Sequence, residues 1–235
     1  RYWLRNPRNG FGLGNITKFI STKYDKTIEE VGVGLELNTP ATLVKYYERG
    51  ETPDGELRVH SFVRPMLAKI VPPEEWPEER ILEYKYDGAR YQIHKQNGIS
   101  IFNRRGKLVT GKFPEIVEMV EEWEGSFIID TEIYPVRGGE PLAFQNLSVR
   151  IHSANVEAAR EECPVEIVVF DCLMYNDEVL YRRILKERMP FIMRFPKQVC
   201  RANSDSEAFY NKAIAEGYEG IMVKDLNQIY EPSKR

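Results

Sequence analysis

The chain has 235 residues, 42% hydrophobic and 29% charged, with a formal net charge of −3. That suits one large domain, or one domain with a small companion, and supplies enough apolar residues for a sizeable core. No apolar run reaches the roughly 18 residues of a membrane-spanning helix, and the balance of charge argues against a nucleic-acid binder that uses its whole surface. Cys163, Cys172 and Cys200 are widely spaced and form no CxxC pair, so zinc and a disulfide framework are not expected and a reducing, intracellular compartment is. The first residue is Arg1 rather than Met, and no signal-peptide pattern follows, so a piece of a longer protein is expected.

Residues 1–14 are aromatic, basic and glycine-rich, ending in Gly10-Phe-Gly-Leu-Gly14. Short helices are expected over Ile16–Val31 and Thr39–Tyr47, with Thr39-Pro40 opening the second. Within 1–28, Arg1, Arg5, Arg8, Lys18, Lys23 and Lys26 face the single acid Asp25, interleaved with Tyr2, Trp3, Phe11 and Phe19. Two readings stand side by side: a helical module whose cations meet phosphates, and a solvated basic face on a packing element. Arg49-Gly50 and Pro53-Asp54-Gly55 mark a turn or linker.

From Val63 the texture changes to short strands and helices. Ile81–Tyr84 reads as a strand; Tyr91–Lys95 and Ile99–Asn103 alternate around Asn97-Gly98, the signal of a hairpin with a type I′ turn. Phe113-Pro114 opens a helix bearing Ile116, Val117, Val120 and Trp123, closed by Gly125. Ser126–Tyr134 is the next strand, and the apolar run Val165–Leu173 a central buried one. Ser206–Ala215 is helical, stopped by Gly217, and Gly220–Lys224 is a last strand. Hairpins and single strands mixed with helices point to α+β, with mainly antiparallel sheets flanked by helices.

Lys85 follows the strand Ile81–Tyr84 and starts Lys85-Tyr-Asp-Gly-Ala-Arg90. Alone it reads equally as a surface lysine trailing a strand. Arg104 leaves the hairpin and by itself is a surface arginine. Asp130 and Glu132 project from one face of a strand whose other face, Phe127, Ile129, Thr131 and Ile133, can pack; two such carboxylates need cations or hydroxyls to meet. Phe170 lies in a buried run and on its own is core. Glu219 and Lys224 bracket the last strand and alone make an ordinary amphipathic edge.

In order, these segments resemble the ATP-dependent DNA ligases, a branch of the covalent nucleotidyltransferases, over about Val63 to Arg235. Lys85-Tyr-Asp-Gly-Ala-Arg90 is similar to the first motif of that family. Phe102-Asn-Arg104-Arg-Gly106, Asp130-Thr-Glu132, Val169-Phe-Asp171 and Glu219-Gly-Ile-Met-Val-Lys224 are similar to those that follow, and Arg64-Pro-Met-Leu-Ala68 to the segment leading in. The resemblance implies an ATP-grasp-like nucleotidyltransferase core over 63–235, and the end of a helical DNA-binding domain plus linker over 1–62. It implies that Lys85 attacks the α-phosphate of ATP and carries AMP. Glu83 would recognise the adenine amino group and Phe170 would stack on the base. Arg90 and Arg104 would bind ribose or phosphate, and Glu132 a ribose hydroxyl or, through water, Mg²⁺. Glu219 would help to hold Mg²⁺, Lys224 would neutralise phosphate, and Arg235 would face the triphosphate. The implied substrate is nicked double-stranded DNA, handled by a monomer away from any membrane, with a sliding clamp or other repair proteins as further partners. The family continues into a lysine-bearing motif and an OB-fold domain, which this chain stops short of. An RNA ligase, a GTP-dependent capping enzyme and a non-catalytic nucleic-acid-binding module share enough of the pattern to stand as alternatives.

Overall fold

The computed structural model describes residues 12–203 and 205–234. It divides between Arg64 and Pro65 into two compact units.

The first unit contains α1 (Leu13–Tyr24), α2 (Ile28–Gly34) and α3 (Pro40–Glu48). The single helix expected over Ile16–Val31 is two. Asp25 turns into the left-handed region at φ 50°, and Thr27 restarts the chain. The Thr27 hydroxyl accepts from the Glu30 N–H at 3.1 Å, and the Thr27 N–H donates to the Glu30 carboxylate at 2.7 Å. This reciprocal capping box satisfies two otherwise orphaned donors, and it starts a helix more favourably than Asp25-Lys26 continues one. Thr39 caps α3 in the expected way, with Pro40 in its first turn. Ile20, Val31, Leu35, Leu43 and Tyr47 close a small core among the three helices. Arg1, Tyr2, Trp3, Arg5, Arg8 and Phe11 lie outside the described residues.

The second unit is α+β. Its elements are β1 (Arg80–Lys85), β2 (Ala89–Lys95), β3 (Ile99–Asn103), α4 (Pro114–Glu121), β4 (Phe127–Arg137), β5 (Glu140–Pro141) and α5 (Phe144–His152). They continue as α6 (Val156–Glu162), β6 (Val165–Tyr175), β7 (Glu178–Val179), α7 (Leu185–Ile192), β8 (Arg201–Ala202), α8 (Ser206–Ala215) and β9 (Gly220–Asp225). One sheet runs β3-β2-β4-β6-β7, with β5 beside β4; the other runs β8-β1-β9. Every ladder between these strands is antiparallel.

One expectation needs correction. Lys95 pairs with Ile99, so the hairpin turn has three residues, Gln96 to Gly98, rather than the two of a type I′ turn. Asn97 and Gly98 both keep the positive φ that made the pair a turn signal. The run Val165–Leu173 is an interior, mostly buried strand as expected: β6 pairs with β4 on one side, and with β7 and a parallel bridge from Val169 to Gln198 on the other. Helix α7 packs on it. On β4, Phe127, Ile129, Thr131 and Ile133 are all fully buried, as their alternation with Asp130 and Glu132 requires.

Candidate active site

Lys85 is the last residue of β1, paired with Gly220 at the first position of β9. The Glu219 N–H donates to the Lys85 carbonyl at 2.9 Å, so the acid preceding β9 is fixed beside the lysine that ends β1. Their side chains form an ion pair, with Lys85 39% and Glu219 50% exposed. The amine is therefore reachable from solvent while anchored at its base by a two-stranded ladder.

The next two motif residues shape the turn that presents it. Asp87 accepts a 2.9 Å hydrogen bond from the Phe144 N–H, the first residue of α5, and so places a carboxylate on an unsatisfied helix-start donor. Gly88 has no room for a side chain: a Cβ there would overlap the Ile133 carbonyl and come within 2.9 Å of the Tyr134 Cβ. The clash involves the β4 backbone, which cannot swing aside as a flexible side chain would. Gly88→Ala is expected to cost about 1–3 kcal/mol of stability, read as a lower urea midpoint. A loss below about 0.5 kcal/mol would show that β4 yields at this point.

Glu83, two residues back on the same strand face as Lys85, is buried. Arg201 Nε donates to one of its oxygens at 2.6 Å, and Lys224 Nζ reaches the other at 2.7 Å. Strand register explains the first of these, since Glu83 lies opposite Arg201 in the β1–β8 pair. Both cations also converge on the Phe170 carbonyl, Lys224 at 3.1 Å and Arg201 at 3.2 Å. Phe170 is half-buried between fully buried Val169 and buried Asp171. Its ring lies near two cations, with the Arg90 guanidinium 5.1 Å and the Lys224 ammonium 4.9 Å from its centroid.

Arg90 is pinned from several sides. It donates to the Met66 carbonyl, to Asp130 and, at 2.8 Å, to the Tyr230 hydroxyl. Tyr230 in turn donates to Asp130 at 2.7 Å, and Gln92 donates to the other Asp130 oxygen at 3.2 Å. Burial works against the Arg90 charge, but Asp130 beside it outweighs that and holds the guanidinium protonated. Asp130 is thus satisfied by protein groups, and of the two carboxylates expected on β4 only Glu132 is left over. No hydrogen bond or ion pair to the Glu132 carboxyl forms among the described residues. Burial pushes it up to about 8, against the pull of Arg90, Lys85 and Arg104 and with a further push from Glu219. Arg104 is exposed at the exit of β3. Arg235 lies outside the described residues. Lys85, Glu83, Lys224 and Glu219 are brought together on and beside β1 and β9, with Phe170, Arg90 and Glu132 on the adjoining sheet.

The sequence family model described as "ATP dependent DNA ligase domain" matches residues 65–235. The chain belongs to the ATP-dependent DNA ligase family. It is 31% identical to a DNA ligase of Methanobrevibacter smithii over 99% of this chain and 46% of that protein. It is 35% identical to one of Saccharolobus shibatae over 74% of this chain and 32% of that protein. The chain spans less than half the length of these curated relatives. Among solved structures, the ligase domain from M. tuberculosis LigD superposes with a TM-score of 0.63 at 19% identity, covering 73% of this chain and 57% of that one. A mycobacterial DNA ligase D complexed with ATP and MES gives 0.61 at the same identity and coverage. At such identity these neighbours show the fold alone, the α+β architecture of a ligase domain.

Within this ligase domain, sequence reasoning passed over Arg201, Tyr230 and the anchoring role of Asp130. Arg201 lies on a two-residue strand with no periodicity to read, and Tyr230 acts across 100 residues of chain. No cluster of three or more His, Cys, Asp or Glu side chains forms among the described residues. Mg²⁺ is held by one or two carboxylates, with waters and substrate phosphates completing its shell. The unpaired Glu132 carboxyl and the exposed Glu219 fit that requirement.

Proposed function

We propose that this chain carries the adenylation pocket of a DNA ligase, with Lys85 as the nucleophile. The observation that carries the reading is the placement of Lys85: solvent-reachable at the end of β1, beside Glu219, with Glu83, Phe170 and Lys224 aligned behind it. The neutral amine attacks the α-phosphate of ATP. A nitrogen–phosphorus bond forms, the bond to the pyrophosphate oxygen breaks, and the amine gives up a proton. Lys224 and Arg104 offset charge on the phosphates, Arg90 steadies the ribose side, Phe170 stacks on the base and Glu83 accepts from its amino group. The family resemblance assigns Arg235, which lies outside the described residues, to the triphosphate. Glu132 and Glu219 would hold Mg²⁺, which supplies charge neutralisation at the transferring phosphate.

In the complete protein, AMP then passes to the 5′-phosphate of a nick in duplex DNA, and the 3′-hydroxyl displaces it to seal the strand. The three-helix unit, with Lys18, Lys23 and Lys26, is read as the end of a DNA-binding module. Incubating the protein with α-labelled ATP or GTP and a divalent cation tests the pocket directly. An acid-labile adduct formed from ATP in preference to GTP is expected. Preferential labelling by GTP would sink the ligase reading in favour of a capping-type enzyme.

A further inference from the structure

Arg201 has a donor that the protein does not use. Its Nε serves Glu83 and its Nη2 serves the Phe170 carbonyl, while Nη1 is buried with no hydrogen-bond partner. The side chain is only 10% exposed. Burying a guanidinium N–H without an acceptor is unfavourable; Arg90 and Arg150 also carry such atoms, but that of Arg201 belongs to a side chain that touches Glu83 and half-buried Phe170, where a ligand group can supply the partner. That group arrives where Phe170 is left half-buried and where Glu83 sits. A carboxylate has about four acceptor positions. Arg201 and Lys224 take one on each oxygen, which leaves Glu83 able to accept from a ligand amino group. The floor of the pocket therefore sets a fixed acceptor next to a fixed, unsatisfied donor.

We propose that Arg201 is a specificity-determining residue that donates Nη1–H to the ring-nitrogen acceptor beside the adenine amino group, while its Nε holds Glu83 in place for that amino group. This rests on the adenylation-pocket reading above and adds a base-reading residue to it. Adenine presents an amino donor flanked by ring-nitrogen acceptors, N1 on one side and N7 on the other. Guanine has a carbonyl in place of the amino group, which sets an acceptor against Glu83; on its N1 side it also sets an N–H against Arg201. Two buried polar groups facing the wrong partners discriminate more strongly than a change in pocket shape.

Equilibrium calorimetry of the chain with ATP, 1-deaza-ATP, 7-deaza-ATP and GTP tests this, comparing the unaltered protein with Arg201→Lys and Arg201→Met. The unaltered protein is expected to bind one of the deaza analogues about tenfold or more weaker than ATP, because a charge-assisted hydrogen bond is lost. In both variants that gap should close to about twofold, and the preference for ATP over GTP should shrink. Arg201→Lys keeps a cation for Glu83 but lacks the rigid guanidinium fork that sets Nη1 at a fixed offset from Nε, so it decides the matter if Arg201→Met fails to fold. Indifference of the unaltered protein to both analogues, or an undiminished gap in Arg201→Lys, would overturn the assignment. If the unaltered protein binds no ATP, the pocket reading itself fails; if ATP binds and only the analogue gap is missing, the failure belongs to Arg201 alone.

Discussion

Lys85→Ala is expected to abolish the labelled adduct, a drop of at least about 1,000-fold, and to leave the unfolding free energy from urea denaturation within about 1 kcal/mol of the unaltered protein. The two halves of this expectation have separate causes. Among the described residues no other lysine ends a strand against an exposed acid at this site; Lys224 is tied to buried Glu83 and the Phe170 carbonyl. The stability effect is small because Lys85 and Glu219 are both more than a third exposed, and such a pair contributes little once solvent screens it. Lys85→Arg sharpens the test. It keeps the positive charge beside Glu219, yet a guanidinium stays protonated and is no nucleophile at neutral pH. Both variants should still bind ATP by calorimetry, since Glu83, Phe170 and Arg201 are untouched. An adduct surviving in either variant, found by mass spectrometry on another side chain, would sink the assignment of Lys85.

The line of chemistry along the chain was readable because each motif sits at a strand end or on a strand face, where a two-residue period is enough to place it. Lys85, Glu219 and Glu83 fall where their strands predict. The elements that escaped reading did so for local reasons. In α5, the core-facing position is filled by Arg150, which is buried and donates to both oxygens of Glu115 at 2.6 and 2.7 Å. A charge at that position hides the apolar period of the helix. In α7, Pro190 interrupts the pattern and Arg188 occupies another buried position. The pairing of Asp130 with Arg90 and Tyr230 depends on the route of the last residues back across the sheet. No spacing encodes that route. The split of α1 from α2 was legible in Thr27-Ile-Glu-Glu30, which spells a capping box that a count of apolar residues alone overlooks.

Arg188→Met is expected to destabilise the protein by about 3–5 kcal/mol at pH 7. Arg188 is buried and grips both oxygens of buried Asp171, at 2.8 and 2.9 Å. It also donates to the Arg183 and Gln228 carbonyls. Methionine fills similar volume but strands a carboxylate in the interior, and that uncompensated charge dominates the cost. The pH dependence follows from Asp171. Burial works to raise its pKa, and Arg188 outweighs burial, so the folded value lies below the ordinary 3.8. The pair's contribution is thus fully present above the unfolded value and is lost as pH falls through the folded one. Without Arg188, burial prevails and the folded value rises above the unfolded one, so the variant gains stability relative to its neutral-pH state as acid protonates Asp171. The gap between the two proteins should be widest near pH 7 and narrow toward pH 3, measured by urea denaturation across that range. Asp171→Leu together with Arg188→Met should recover part of the loss, because removing both charges leaves no ion unpaired. A penalty under about 1 kcal/mol, or one that does not change with pH, would mean that solvent or another cation reaches Asp171. The consequence for function is direct: Asp171 follows Phe170 on β6, so loosening its anchor should weaken ATP binding even under conditions where the variant remains folded.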